Sequence, residues 1–255
     1  MEYLTHVAKV VVTGGGSGIG AAIAHRFAER GDHVVVVDIN TESGSAVAME
    51  TKGTFEHLDV TDSDSWNAFA SKHHDAEYVF LNAGTTTHPG AELTGSFDTP
   101  SIPLADTGVD AYKRVSAINI DGVVFGAMAY VPHMVRRGSG HIIATASMAG
   151  LLPFPQEPLY ALTKHAVVGF VRSMGVALDP YGVKMSGICP GFVQTNLLTD
   201  EVLGVIRAFG LPVINPDRVA DTAERVVDDA VNGSLWYVNG ETPAAIHIPN
   251  DPSLI

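Results

Sequence analysis

TGGGSGIG, residues 13–20, stands between an apolar β-branched run, Val10–Thr13, and a helical pattern that Ser17 caps and Gly31 stops near Arg30. Glycines at such a turn admit backbone conformations closed to other residues and let the chain come close to a ligand. The helix behind them presents its N-terminal amides and positive dipole end to the same point. The spacing T-G-x-x-x-G-x-G departs from G-x-G-x-x-G, but its place after a strand and before a helix suits a pyrophosphate cradle. Twenty residues beyond Gly18, Asp38 closes a second strand, His33–Asp38. A carboxylate there can accept hydrogen bonds from ribose hydroxyls and repels a 2′-phosphate. No cation stands among residues 14–17 or at Ile39-Asn40, so the expected cofactor is NAD and not NADP.

Outward from this turn, short β-branched runs alternate with helical patterns. Strands are predicted at Thr54–His57, Tyr78–Leu81, Gly140–Ala146, Val183–Ile188 and Leu235–Val238. Helices are predicted at Thr41–Glu50, Ser63–His73, Val109–Arg136, Pro158–Leu178 and Pro216–Val231. Such alternation requires right-handed crossovers and a parallel sheet with helices on both faces. The uniformly apolar Val34–Val37 fits a strand covered on both sides. No linker interrupts the pattern, so residues 1–255 read as one doubly wound α/β domain of Rossmann type. Thr85–Gly108, rich in Gly, Pro, Ser and Thr, reads as a surface excursion, and residues 192–215 as a substrate lid.

Composition narrows the function. With 255 residues, 46% of them hydrophobic, there is material for a sizeable core. A formal net charge of −13 argues against nucleic acid. The doublet Arg136-Arg137 reads as compensation of a helix dipole. One cysteine, Cys189, cannot form an internal disulfide and suits a reducing compartment. The start, MEYLTHVAKVVVTGG, lacks a signal-peptide layout, and no run reaches the roughly 18 apolar residues of a membrane span. The expectation is a cytoplasmic protein with no membrane partner. His73-His74-Asp75 reads as solvated surface and not as a metal site, and His88 as a surface histidine as readily as a ligand contact.

Chemistry enters at residues 158–170, PLYALTKHAVVGF, where Tyr160 and Lys164 share one helical face. A cation beside a phenol favours its charged form, so Lys164 is expected to lower the pKa of Tyr160. Such a tyrosine could exchange a proton with a substrate hydroxyl.

The whole set of motifs resembles the short-chain dehydrogenase/reductase family along nearly the full chain. The matching pieces are the Thr13–Gly20 turn, Asp59-Val60, Asn82-Ala83-Gly84, Asn119, Ser147 thirteen residues before Tyr160, the Y-x-x-x-K pair, and Pro190-Gly191…Thr195. The segment SMAGLLPFPQEPLYALTKHAVVGFVRS and the ending DDAVNGSLWYVNGETPAAIHIP are similar to those of NAD-dependent 15-hydroxyprostaglandin dehydrogenases. The resemblance implies hydride transfer between a nicotinamide cofactor and a partly hydrophobic secondary alcohol or ketone. It implies Tyr160 as acid/base, Lys164 on the nicotinamide ribose, Ser147 at the reacting oxygen, and Asn119 bending its helix and holding a water. It implies cofactor contacts from Gly14, Gly16, Ser17, Gly18, Ile19 and Gly20, and from Asp38 and Ile39. Asp59 and Val60 should meet adenine; Asn82, Ala83 and Gly84 should support the nucleotide. Tyr160, Lys164, Pro190, Gly191, Val193 and Thr195 should complete the nicotinamide end.

Substrate contacts are expected from Ser147, Tyr160, Phe154, Glu157 and Phe192; Leu197, Leu198, Val202, Leu203 and Ile206 form a wall facing Leu151 and Leu152, or else dock a helix against the core. Glu157 stands where the prostaglandin enzymes carry the second of two glutamines, and a carboxylate there disfavours an anionic substrate. Rival readings on the same fold are a nucleotide-independent dehalogenase-like lyase and a non-catalytic NAD-binding regulator. The intact glycines and the complete Ser147, Tyr160 and Lys164 set oppose both. The family is usually oligomeric, and Gly122, Gly126, Ala127, Ala166 and Gly169 would allow close helix packing in a homodimer or homotetramer, or packing on the sheet.

Overall fold

The computed structural model describes residues 6–89, 104, 107–229, 231–240 and 244–246. Most of the excursion expected at 85–108 lies outside these residues, as do residues 1–5, 241–243 and 247–255. Strands β1 (Lys9–Thr13), β2 (His33–Asp38), β3 (Thr54–His57), β4 (Tyr78–Leu81), β5 (Gly140–Thr145), β6 (Val183–Pro190) and β9 (Leu235–Val238) match the predicted runs within two residues. Between and after them come α1 (Gly18–Glu29), α2 (Thr41–Glu50), α3 (Ser63–Lys72), α4 (Val109–Ser116), α5 (Gly122–Arg137), α6 (Pro158–Leu178) and α8 (Pro216–Asp229).

The sheet runs in the order β10-β9-β6-β5-β4-β1-β2-β3, where β10 is Ala244–Ile246. Its central seven strands pair in parallel; β10 lies antiparallel on the edge beside β9, an addition the sequence pattern did not disclose. Strand order reverses between β1 and β4, which opens a crevice at their C-terminal ends. The motif-bearing turns all leave the sheet at this edge.

Although Val34–Val37 is apolar throughout, its side chains alternate between two cores. Val35 and Val37 join Val11, Trp66, Tyr130 and Ile142 under α3, α5 and α6. Val34 and Val36 join Val10, Val12, Ile23, Phe27 and Val219 under α1, α2 and α8. Each fully buried side chain of this kind contributes roughly 1.5–3 kcal/mol. The opposite flank of α1 is fastened by Arg26 to Asp221 and by Arg30 to Asp228 on α8.

The structure refines four of these readings. The predicted long helix is α4, a π-helical turn at Ala117–Asp121, and α5. Val109–Arg137 is long and apolar enough to cross a bilayer, but it packs on the sheet as a core element. Gly126 serves that packing: a Cβ there would lie 2.4 Å from Leu81 Cδ2. Gly122 and Ala127 are likewise buried within the chain, so the small residues of α5 fill the sheet interface, while Ala166 and Gly169 on α6 are exposed. Finally, His73 is not solvated; it is 6% exposed, packed on Phe69 beside Glu56. Arg137 does more than compensate a dipole, since its guanidinium donates to the carbonyls of His74 (3.0 Å) and Ala76 (2.7 Å) and latches the approach to β4.

Candidate active site

At the switch point lies a cleft of about 830 Å³. Its nucleotide end is built by the turn after β1. Gly14 and Gly18 have φ of +63° and +53°, the left-handed region that favours glycine. Gly20 is buried because the helix start packs on the turn: a Cβ on it would lie 2.1 Å from the Gly14 carbonyl oxygen. Ser17 occupies the N-cap of α1, but its side chain makes no capping bond, and no acid stands in the first turn. The first amides of α1 are thus left for an anion, as a pyrophosphate requires. Thr13, part of the motif yet not expected as a site residue, ties the turn to β4: its hydroxyl donates to Phe80 O and accepts from the amides of Asn82 (2.9 Å) and Ala83 (3.1 Å).

Asp38 sits at the end of β2 with its carboxylate held from both sides. Oδ2 accepts from Gly16 N and Oδ1 from Asn40 N, each at 2.9 Å. Gly16 itself is buried behind the carboxylate and does not line the cleft, so its part is to position Asp38. Gly14, Ser17, Gly18, Ile19, Asp38 and Ile39 line this end, with Asp59 and Val60 next to them. Asn82, Ala83 and Gly84 form the central floor. The Asn82 side chain is engaged in the scaffold, donating to Thr13 O at 3.1 Å and accepting from Thr145 Oγ1 at 3.0 Å.

At the catalytic end, Ser147, Tyr160 and Lys164 converge on the cleft from the end of β5 and the first turns of α6. Lys164 is 4% exposed and donates to Thr145 O at 2.8 Å. Its Nζ lies 5.6 Å from the centre of the Tyr160 ring. Burial brings its pKa down to about 8. The expected lowering of the Tyr160 pKa is not what the protein alone provides. Burial around the phenol pushes it up to about 12, and a hydrogen bond from Ser147 offsets only part of this. Lys164 does not offset this shift, because burial leaves its own amine at about 8 and hence uncharged where the phenol would ionise. Ser147 Oγ is oriented by Ala149 N at 3.1 Å.

Asn119 is fully buried on the π turn and does not reach the cleft. Its amide accepts from Thr85 N (2.8 Å) and donates to Thr85 O (2.9 Å) and Thr163 Oγ1 (3.0 Å). It thereby joins the loop after β4 to α6 behind Lys164, so the side chain expected to hold a water is committed to the scaffold. Thr85, Thr145 and Thr163 carry no local signal, because each meets a partner distant in the chain, Asn119 for Thr85 and Thr163 and Asn82 for Thr145.

The substrate end is apolar. Pro190, Gly191, Val193 and Thr195 line it at the mouth of β6, with Phe154 and Phe192 at a ring separation of 6.1 Å. Residues 192–215 form β7 (Phe192–Val193), α7 (Asp200–Ala208) and β8 (Val213–Ile214), which pairs with β7 in parallel. The expected wall divides here. Phe192, Leu197 and Leu198 face the cleft with Leu211, whereas Val202, Leu203 and Ile206 are buried in a satellite core that docks α7. Opposite, Leu152 lines the cleft and Leu151 packs on the main core. Glu157 is 9% exposed and its Oε2 accepts from Thr87 N at 2.9 Å; burial raises its pKa.

The sequence profile described as short chain dehydrogenase matches residues 8–203. The chain is 30% identical over 256 residues to 2-(R)-hydroxypropyl-CoM dehydrogenase of Xanthobacter autotrophicus, covering 90% of this chain and 93% of that protein. It is 33% identical over 239 residues to 2,5-dichloro-2,5-cyclohexadiene-1,4-diol dehydrogenase LinX of Sphingobium indicum, covering 91% and 88%. In fold it is similar to 3-ketoacyl-(acyl-carrier-protein) reductase of Brucella melitensis, solved in complex with NADH. The TM-score is 0.78 at 23% identity, over 91% of this chain and 97% of that one. The chain belongs to the short chain dehydrogenase family and is an oxidoreductase of the kind that works with a nicotinamide cofactor.

Proposed function

We propose that the protein is an NAD-dependent alcohol dehydrogenase or ketone reductase for a neutral, partly hydrophobic secondary alcohol. The observation that carries this reading is the convergence of Ser147, Tyr160 and Lys164 at one end of a cleft whose other end presents the fixed Asp38 carboxylate. Gly14, Gly18 and the open first turn of α1 fit a pyrophosphate; Asp38 fits an unphosphorylated ribose. A nicotinamide cofactor held by these residues would supply hydride acceptance or donation.

The chain's own residues handle the proton. Tyr160 takes it from the substrate hydroxyl in oxidation and returns it in reduction. Ser147 bonds the same oxygen and stabilises the alkoxide-like charge that builds there. Because burial holds the phenol up at about 12, ionisation depends on positive charge gathered around it. Phe154, Phe192, Leu197 and Leu198 bind the carbon skeleton and exclude water. The Xanthobacter relative is named for a hydroxypropyl compound and the Sphingobium relative for a ring diol; both are secondary alcohols, the class assigned here.

A fluorescence titration with NADH and NADPH, on the protein and on Asp38→Ala, tests the assignment. The expected outcome is tighter NADH binding in the wild type, by about tenfold or more, and loss of that preference in the variant. Equal binding of both nucleotides by the wild type refutes NAD specificity; binding of neither refutes the enzyme reading. The same reading makes the protein a cytoplasmic homodimer or homotetramer without membrane or nucleic-acid partners. Light scattering that finds only monomer removes the oligomer.

A further inference from the structure

Glu157 is a carboxylate built into an apolar part of the cleft. It occupies the N-cap of α6, three residues before Tyr160, where the two side chains emerge beside each other. An acid at this position ordinarily accepts from the first amides of its own helix, but Glu157 makes no such bond. Instead Oε2 reaches across to Thr87 N at 2.9 Å. The Thr87 peptide is held from its other side by Arg114 Nη2, which donates to its carbonyl at 2.7 Å. The carboxyl is therefore fixed in place and turned away from its helix into the cleft.

A carboxylate offers about four acceptor sites on two oxygens. Among the described residues, Thr87 alone hydrogen-bonds this one, through its amide at 2.9 Å and its adjacent hydroxyl. The remaining acceptor sites face the cleft that Glu157 lines, where a donor brought by a ligand can reach them. The surroundings limit what that ligand is. Phe154, Phe192 and Leu152 take a hydrocarbon skeleton. Among the described residues lining the cleft the one Lys or Arg is Lys164, buried behind Tyr160 and donating to Thr145 O, so no further Lys or Arg lines the cleft beside Glu157 to receive an anionic group.

We propose that Glu157 is a specificity-determining residue that accepts a hydrogen bond from a second hydroxyl of the substrate, selecting neutral diols over mono-alcohols and over hydroxy acids. This rests on the reading of Tyr160 as the group that meets the first hydroxyl.

The test compares kcat/KM with NAD for the positional cyclohexanediols, cyclohexanol and hydroxycyclohexanecarboxylate in the wild type, Glu157→Ala and Glu157→Gln. The wild type is expected to prefer a diol over cyclohexanol by about tenfold or more, the value of one hydrogen bond to a charged group. Glu157→Ala should bring that ratio close to one. Glu157→Gln keeps an acceptor for Thr87 N and hence the loop, and should raise the hydroxy acid relative to cyclohexanol by about tenfold, since it removes the like charge. Ratios taken within one variant cancel any general loss of folded or active protein. Diol and hydroxy-acid ratios within about twofold of wild type in both variants overturn the inference alone. If the nucleotide-bound wild type oxidises none of the probes, the dehydrogenase reading and this inference fail together.

Discussion

Replacing Lys164 with methionine should flatten the alkaline stability profile of the protein. Lys164 is 4% exposed, and burial brings its pKa from 10.5 to about 8 with no acid paired to it among the described residues. In the unfolded chain the amine titrates near 10.4. Between these values the unfolded state holds a proton that the folded state has released, so stability rises with pH. Below about pH 8 the amine is charged in both states, and this stabilisation is absent. The full gain across the window is about 3 kcal/mol, of which about 2 kcal/mol accrues between pH 7.5 and 10. The bond to Thr145 O is not lost along the way, because a neutral amine still donates. Tyr160 acts at higher pH and in the opposite sense: its folded pKa of about 12 lies above the ordinary 10, so its contribution falls as pH climbs between them. Urea unfolding of wild type and variant at steps from about pH 7 to 10 isolates the lysine, since the tyrosine and the general charge of the protein enter both. The difference, wild type minus variant, should grow by about 2 kcal/mol. A difference constant to within about 0.5 kcal/mol would refute the claim that the ammonium is desolvated and uncompensated.

Tyr160→Phe should lower alcohol-dependent NADH formation by about 10²–10⁴-fold, and wild-type oxidation should accelerate with pH through the neutral range as the phenolate fraction grows. Retention of more than about a tenth of the rate would refute the acid/base assignment. Gly20→Ala should destabilise by about 3 kcal/mol or more and abolish nucleotide binding, because the methyl meets the Gly14 carbonyl. Gly204→Ala on α7, where a Cβ meets nothing within 4 Å, should instead raise stability by up to about 1 kcal/mol in thermal unfolding. Thr13→Val keeps the shape but leaves the amides of Asn82 and Ala83 without their acceptor; a loss of about 2–4 kcal/mol is expected in urea.

The fold and the outline of the site are legible in local patterns of the chain. Strand and helix periods are local, and in a doubly wound sheet every strand end that carries a motif points to the same edge. Gly14, Gly18, Asp38, Ser147, Tyr160 and Lys164 could therefore be placed on one cleft without coordinates. What only the tertiary structure decided depends on partners distant in the chain. The Tyr160–Lys164 spacing disclosed a pairing but not the direction of the tyrosine's shift, because burial is a property of everything packed around the pair, and here burial sets that direction. Asn119 was legible as important, but its bonds to Thr85 and Thr163 exist only once α6 and the loop after β4 meet. The apolar run after Phe192 gave no means of separating Leu197 and Leu198, which face the cleft, from Val202, Leu203 and Ile206, which turn into a core of their own. Glu157 is the sharpest case. Its charge was readable, but its direction was set by an amide seventy residues away, which draws the carboxylate off its own helix and into the cleft.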